Sequence, residues 1–238
     1  MILSIQNLSK SYGTKKALAG FSAELTPGVT AILGPNGAGK TTLMNLIADL
    51  VRRDSGQILY DGTDILKLGR HFREKLGFMP QSPGMYDNMS ARSFLAYMAE
   101  LKGVPKKQAL SEIPEILKTV GLINEAHRKL GGFSGGMRQR VMLSEALLGD
   151  PEVLLLDEMS AGLDPEERVR MREYVAGLGK DRIILLSTHI ISDVESIADR
   201  IILLSGGRVL SDLRTEEFVL GSGADNLEDA YIRRLHND

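Results

Sequence analysis

The sequence contains no cysteine. Disulfides, thiolate zinc sites and thiol catalysis are therefore excluded, and nothing points to an oxidising compartment. An excess of charge is missing too. The 29 Lys and Arg stand against 31 Asp and Glu, a formal net charge of −2. No global field is available to hold nucleic acid or an anionic membrane, so no nucleic-acid partner is expected. Long apolar runs are also absent. Val153–Leu156 and Ile183–Leu186 are of strand length, whereas a membrane-spanning helix needs about 20 apolar residues. The start, Met1-Ile-Leu-Ser-Ile-Gln6, has no basic n-region and no long apolar stretch, so no signal peptide is expected. These absences predict a soluble, cytoplasmic chain that reaches a membrane only through a partner. Its 238 residues suffice for one or two domains with a well-buried core.

What is present begins with Gly34-Pro35-Asn36-Gly37-Ala38-Gly39-Lys40-Thr41-Thr42, which fits the phosphate-loop pattern G-x-x-x-x-G-K-[ST]. The apolar run Val29–Leu33 before it reads as a buried strand, and Thr41–Leu50 after it as a helix. A strand, a glycine-rich turn and a helix N-terminus make an anion cradle, because backbone N–H groups and the helix dipole point at the same place. Lys40 is suited to the β- and γ-phosphates as a point charge and Thr41 to Mg²⁺. Gly37 and Gly39 let the backbone approach without a Cβ in the way.

Along the chain, strands are predicted at Ile2–Leu8, Phe21–Leu25, Val29–Leu33, Gly56–Tyr60 and Gly77–Met79, with turns at Pro27-Gly28 and Asp61-Gly62. From about Ser82 to Gly149 the patterning is mostly helical. Ser90 reads as an N-cap, Pro105 as a breaker, and Leu110, Ile113, Ile116, Leu117 and Val120 as a stripe ended by Gly121. Pro114 reads either as a kink or as that helix's true start. After Pro151 the pattern alternates: strand Val153–Asp157, helix Glu166–Leu178, strand Arg182–Ser187, helix Ser192–Ala198, strand Arg200–Leu204. Two short helices are predicted in the tail, around Glu216–Leu220 and Leu227–Leu235. The fold class is α/β, with a mixed, largely parallel sheet, antiparallel N-terminal strands and an inserted helical subdomain. The expected division is a catalytic core of 1–81 and 150–210, a helical subdomain of 82–149 and a tail of 211–238.

Val153–Leu156 ends in Asp157-Glu158. A buried strand delivers Asp157 to the sheet edge, where it can hold Mg²⁺, and Glu158 can orient and activate a water for in-line attack. The same acidic pair can instead cap the next helix. Phe133-Ser134-Gly135-Gly136-Met137 offers a second helix start, with Ser134 as N-cap and Gly135 and Gly136 presenting backbone N–H groups to an anion. Taken alone, this motif reads as an ordinary Ser-capped helix after a glycine turn; beside the phosphate loop, two phosphate-gripping helix ends in one chain point to one nucleotide held from both sides. Ser205-Gly206-Gly207, followed by Arg-Val-Leu, reads as a hairpin turn instead.

The Phe133–Met137 motif resembles the signature of the ATP-binding-cassette (ABC) ATPases, usually written L-S-G-G-Q, and the other markers follow in that family's order. The resemblance implies that Tyr12 stacks on adenine, although a strand-end tyrosine is the plain alternative. It implies that Gln81 contacts Mg²⁺ and the attacking water, that Ser160–Asp164 runs along a dimer interface with Asp164 at the nucleotide, and that His189 hydrogen-bonds the γ-phosphate. His71, His127 and His236 read as surface residues. Phe133, Met137 and Met159 depart from the usual Leu, Gln and Pro, and are expected to tune the interface.

The resemblance implies ATP and Mg²⁺ as cofactors and a head-to-tail dimer, of two copies or with a different ABC subunit. ATP then lies between Lys40 of one chain and Ser134–Gly136 of the other. It further implies a separate polytopic permease docking near Gln81–Lys102, which holds the chain peripherally on the inner face of the cell membrane. Of Met79, Met85, Tyr86, Met89, Phe94, Tyr97 and Met98 in that region, some can be core, and Met85, Tyr86 and Met89 are the expected contacts. The short tail resembles exporter-type ATPases serving drug or antimicrobial-peptide efflux. A soluble ABC ATPase of a non-transport assembly complex is the alternative.

Overall fold

A computed structural model of the chain describes residues 1–81 and 84–236. Ser82, where the helical subdomain is expected to begin, and Pro83 lie outside the described residues, as do Asn237 and Asp238. The strands among the described residues are β1 (Leu3–Tyr12), β2 (Lys15–Leu25), β3 (Gly28–Leu33), β4 (Ser55–Tyr60), β5 (Thr63–Asp64), β6 (Leu76–Met79), β7 (Val153–Asp157), β8 (Ile183–Thr188), β9 (Arg200–Ser205) and β10 (Arg208–Arg214). The helices are α1 (Lys40–Ile47), α2 (Ile65–Leu68), α3 (Arg70–Glu74), α4 (Ala91–Lys102), α5 (Lys106–Thr119), α6 (Gly135–Leu147), α7 (Pro165–Leu178), α8 (Thr215–Leu220) and α9 (Leu227–His236).

The strands form two sheets. One is antiparallel, in the order β2-β1-β4-β5; the other runs β10-β9-β3-β8-β7-β6. In the second sheet β9, β3, β8, β7 and β6 are parallel, and β10 pairs antiparallel with β9. The α/β class, with antiparallel strands beside a largely parallel sheet, is therefore as the sequence predicts. β2 and β3 do not pair with each other, because Pro27 and Gly28 turn the chain from one sheet into the other.

Alternation along the buried strands divides the core. Val153 and Leu155 join Ile183, Leu185, Ile202 and Ile32 against α1 and the antiparallel sheet. Leu154 and Leu156 join Ile184, Leu186, Ile201 and Leu203 against the helices. Successive side chains of a strand face opposite ways, so a sheet covered on both sides reads as an unbroken apolar run. The C-terminal ends of β3, β6, β7 and β8 lie along one sheet edge and carry the loops of Gly34–Gly39, Gln81, Glu158 and His189. Ligands of open α/β sheets bind at that edge.

Several elements differ from the expectation. β1 runs on to Tyr12 because bulges between Ile5 and Ser9, with Asn7 at φ 50°, shift its alternation. α1 stops at Ile47 rather than Leu50, where Asp49 adopts a left-handed φ of 57°. Gly103, also left-handed, ends α4, and Pro105 instead precedes α5. α5 starts at Lys106 and runs through Pro114, so Pro114 is not its start; the bond forgone is to the carbonyl of the exposed Leu110. Ala109 takes the buried position assigned to Leu110. The helix expected at Ser192–Ala198 is only a 3-10 turn, Ile191–Asp193, followed by turns. Its tightening goes with an inward Asp193, which is fully buried.

Candidate functional site

Gly34 to Gly39 wrap around the N-terminus of α1. Gly39 has φ 112°, and a Cβ there would lie 2.4 Å from the carbonyl oxygen of Ala17. Gly34 is equally constrained, since its Cβ would meet the Leu204 oxygen at 2.1 Å. The loop is thus wedged between β2 and β9. No side chain caps α1, so its first-turn N–H groups are available to an anion. Lys40 is buried. Its Nζ donates to the Gly34 oxygen at 2.7 Å and the Pro35 oxygen at 3.3 Å, and lies 3.9 Å from Glu158 Oε1. Burial pushes the Lys40 pKa down, against the opposing pull of Glu158 and Asp157.

A cavity of about 380 Å³ opens in front of this loop. Tyr12, Asn36–Thr42, Gln81 and Glu158 all line it, so one space gathers residues that the sequence distributes over nearly 150 positions. Tyr12 is half exposed, with Lys10 Nζ 5.6 Å from its ring centroid. Lys15 also lines the cavity, close to Gly37. Sequence reasoning passed over it because the pair Lys15-Lys16 after Thr14 matches no motif.

Asp157 and Glu158 are both buried at the end of β7. Asp157 Oδ1 accepts a hydrogen bond from Ser187 Oγ, a neighbour across β7 and β8 that nothing in the sequence marks. Glu158 has a left-handed φ of 54°, a conformation costing a non-glycine residue about 1–3 kcal/mol and concentrated at functional sites. His189 Nδ1 lies 3.0 Å from the Glu158 carboxylate. Asp157 Oδ2 is buried without a hydrogen-bond partner, and Glu158 Oε2 has only His189 Nδ1 within reach, at 3.0 Å. A hard cation and its waters would supply further partners, and the Thr41, Asp157 and Gln81 side chains offer the oxygen ligands that Mg²⁺ prefers. Among the described residues no group of three or more His, Asp or Glu could hold a metal by itself. The oxygen donors of Thr41, Asp157 and Gln81 fit a hard cation such as Mg²⁺.

Ser134, Gly135, Gly136 and Asp164 do not line this cavity. Ser134 Oγ caps α6, accepting from Met137 N at 3.2 Å, and Asp164 caps α7, accepting from Glu167 N at 2.9 Å. Gly135 instead lines a separate cleft of about 220 Å³ with Arg138, Gly162 and Leu163. Gly136 is buried, not open to solvent, and a Cβ on it would press on Glu167 at 2.7 Å. Phe133 and Met159 are buried in the helical-side core rather than displayed on a surface. The exposed methionine-and-tyrosine surface is smaller than expected. Met79 and Phe94 are core, and Met85 and Met89 are half-buried. Tyr86 and Tyr97 are exposed and meet edge-on at 5.8 Å. His71, His127 and His236 are exposed. No helix among the described residues is long and apolar enough to cross a membrane.

Comparison with known proteins agrees with this geometry. The family model described as "ABC transporter" matches residues 18–161. The chain is 38% identical over 209 residues to the uncharacterised ABC transporter ATP-binding protein YxlF of Bacillus subtilis (strain 168), covering 87% of this chain and 69% of that one. It is 36% identical over 215 residues to the bacitracin transport ATP-binding protein BcrA of Bacillus licheniformis, covering 89% and 69%. A solved ATP-binding subunit of an ABC transporter superposes with a TM-score of 0.87 at 26% identity, over 99% of this chain and 100% of that one. The loop, the acidic strand end and these relatives together place the chain in the family of ABC transporter ATP-binding subunits, which bind and hydrolyse ATP.

Proposed function

We propose that this chain is the motor of an exporter and that its nucleotide site is completed only by a second ABC subunit. One observation carries this reading: the phosphate loop lines one cleft, and Gly135, at the Ser134–Gly136 helix end, lines another cleft of the same chain. Neither cleft grips a nucleotide from both sides. A head-to-tail pair, of two copies or with a paired ABC subunit, would bring the Lys40 face of one chain to the Ser134, Gly135, Gly136 and Asp164 face of the other.

In this reading Tyr12 stacks on adenine, and Lys40 with the loop amides of Gly34–Thr42 holds the β- and γ-phosphates. Such fixed charges stabilise the transferring phosphoryl group without reorganising. Thr41, Asp157 and Gln81 would hold Mg²⁺, which when bound neutralises charge on the phosphate oxygens. Glu158, held beside His189 and Lys40, accepts the proton of the attacking water, and His189 contacts the γ-phosphate. ATP then holds the dimer closed, and its hydrolysis releases it.

Export rests on similarity to a bacitracin transport protein, which also favours a drug or antimicrobial peptide as cargo. The assembly-complex alternative loses support because the relatives are transport proteins. A polytopic permease, docking on the segment Gln81–Lys102 around exposed Tyr86 and Tyr97, would hold the chain against the inner face of the membrane.

The test is Glu158→Gln. The variant should retain ATP binding, lose turnover by at least about 100-fold, and elute as a dimer with ATP and Mg²⁺. Turnover at the wild-type rate would remove Glu158 from the role of base. A closed variant that stays monomeric would remove the shared site.

A further inference from the structure

One fully buried carboxylate has no part in the scheme above. Asp193 sits in the 3-10 turn four residues beyond His189, with no exposed side-chain surface. Its Oδ2 accepts a hydrogen bond from Ser160 Oγ, itself buried, two residues beyond Glu158. Its Oδ1 has no hydrogen-bond partner. Enclosing a carboxylate this incompletely satisfied is costly, so the fold gives up stability to keep it there.

The two loops joined by this bond are the ones that meet at the reacting end of the site. Ser160 is tied through Met159 to Glu158, and Asp193 through a three-residue turn to His189. His189 Nδ1 closes the circuit at 3.0 Å from the Glu158 carboxylate. The backbone is braced on both sides: Asp193 N donates to the Ile190 oxygen at 3.1 Å, and Leu163 N to the Ser160 oxygen at 3.2 Å. Arg172 of α7 donates to the Ser192 oxygen, and α9 packs behind the turn.

We propose that Asp193 is a positioning residue: through Ser160 it latches the loop carrying His189 to the loop after Glu158 and so sets the His189–Glu158 geometry needed for hydrolysis. This inference rests on the roles of Glu158 and His189 proposed above. It also ties Ala161–Asp164, the stretch offered to a second subunit, to the histidine. Approach of that subunit would thus be felt at His189 through one buried hydrogen bond. The groups by which this chain holds its own nucleotide, Tyr12 and Gly34–Thr42, lie on β1 and on the β3–α1 connection with the first turn of α1, outside the latch. Loosening it should therefore slow turnover and leave nucleotide affinity alone.

The experiment measures kcat and the KM for ATP of the full chain as wild type, Ser160→Ala, Asp193→Ala, the double variant, Asp193→Asn and His189→Ala, each with its melting temperature. Ser160→Ala leaves Asp193 in place and covers the case in which Asp193→Ala does not fold. Ser160→Ala and Asp193→Ala should each lower kcat by about tenfold, as for loss of a hydrogen bond to a charged group, with KM unchanged within about twofold. The double variant should be no slower than the slower single variant, because both remove the same bond. Asp193→Asn, whose amide oxygen can still accept from Ser160, should recover most of the rate. Undiminished kcat in both single variants, losses that multiply in the double variant, or Asp193→Asn as slow as Asp193→Ala would overturn the latch. A His189→Ala protein with full turnover would instead overturn the role of His189, and the latch with it.

Discussion

Gly136→Ala should destabilise the protein, and the same substitution should become neutral or stabilising once Glu167 is shortened. The new Cβ would lie 2.7 Å from Cγ and Cδ of Glu167 and 2.8 Å from Oε2. Glu167 has little freedom to move away. Its Oε1 is 3.4 Å from Arg140 Nη2 and 3.5 Å from Arg170 Nη1, and the Arg140 side chain is 8% exposed. Overpacking of this kind costs roughly 1–3 kcal/mol, and displacing Glu167 also strains a buried ion pair whose loss costs about 3–5 kcal/mol. Working against these terms, alanine is favoured over glycine inside a helix by about 1 kcal/mol. The net expectation for Gly136→Ala is a loss of about 2 kcal/mol, or a fall in melting temperature of roughly 4–8 °C for a chain of this size. Glu167→Ala alone should also destabilise, because it leaves Arg140 buried and unpaired. In that background the clash is gone, and Gly136→Ala should raise stability by up to about 1 kcal/mol through helix propensity. Thermal and urea unfolding of the four proteins give the cycle. An effect of Gly136→Ala with the same sign and size in both backgrounds would refute the reasoning. So would a wild-type background that tolerates the alanine without loss.

Two further outcomes follow from the same kind of geometry. Gly39→Ala combines a left-handed φ of 112° with a 2.4 Å contact to a backbone oxygen that cannot move aside; calorimetry with ATP should show binding lost together with at least about 2 kcal/mol of stability. Lys75 and Tyr60 both donate hydrogen bonds to Glu152, and these hold its carboxyl below the usual range. A lowered carboxyl pKa contributes stability that is present above the unfolded value, about 4.3, and is lost as pH falls through the folded value. The melting temperatures of wild type and Glu152→Gln should therefore differ at pH 7 and draw together only as pH falls from about 4.3 through the lower folded value; a gap that stays constant with pH would show that the carboxylate charge plays no part.

Local grammar carried much of this protein into view from its residues. A phosphate loop is written contiguously, so Gly34–Thr42 needed no partner to be recognised. The apolar runs ending at Asp157 and near His189 marked buried strands and the edge on which they end. Ser134 announced a helix start and is a cap, whereas the capping by Asp164 emerged only with the fold. Where neighbours in space decide, the sequence misled or was silent. The bulges of β1, the buried Ala109 in place of Leu110 and the shortened turn at Ile191–Asp193 depend on what packs against each segment. Lys15, Ser187 and Asp193 carry no motif, and they matter only because folding brings them to Gly37, Asp157 and Ser160. By itself the sequence determined the family, the phosphate-binding chemistry and the strands that deliver it, since each is encoded by residues close together in the chain. Only the tertiary structure decided that the phosphate loop and Gly135 line different clefts, that Gly136 is required by packing, and that a buried serine and aspartate join the loops after Glu158 and His189. Those facts are distances between residues remote in sequence, which only the packed chain defines.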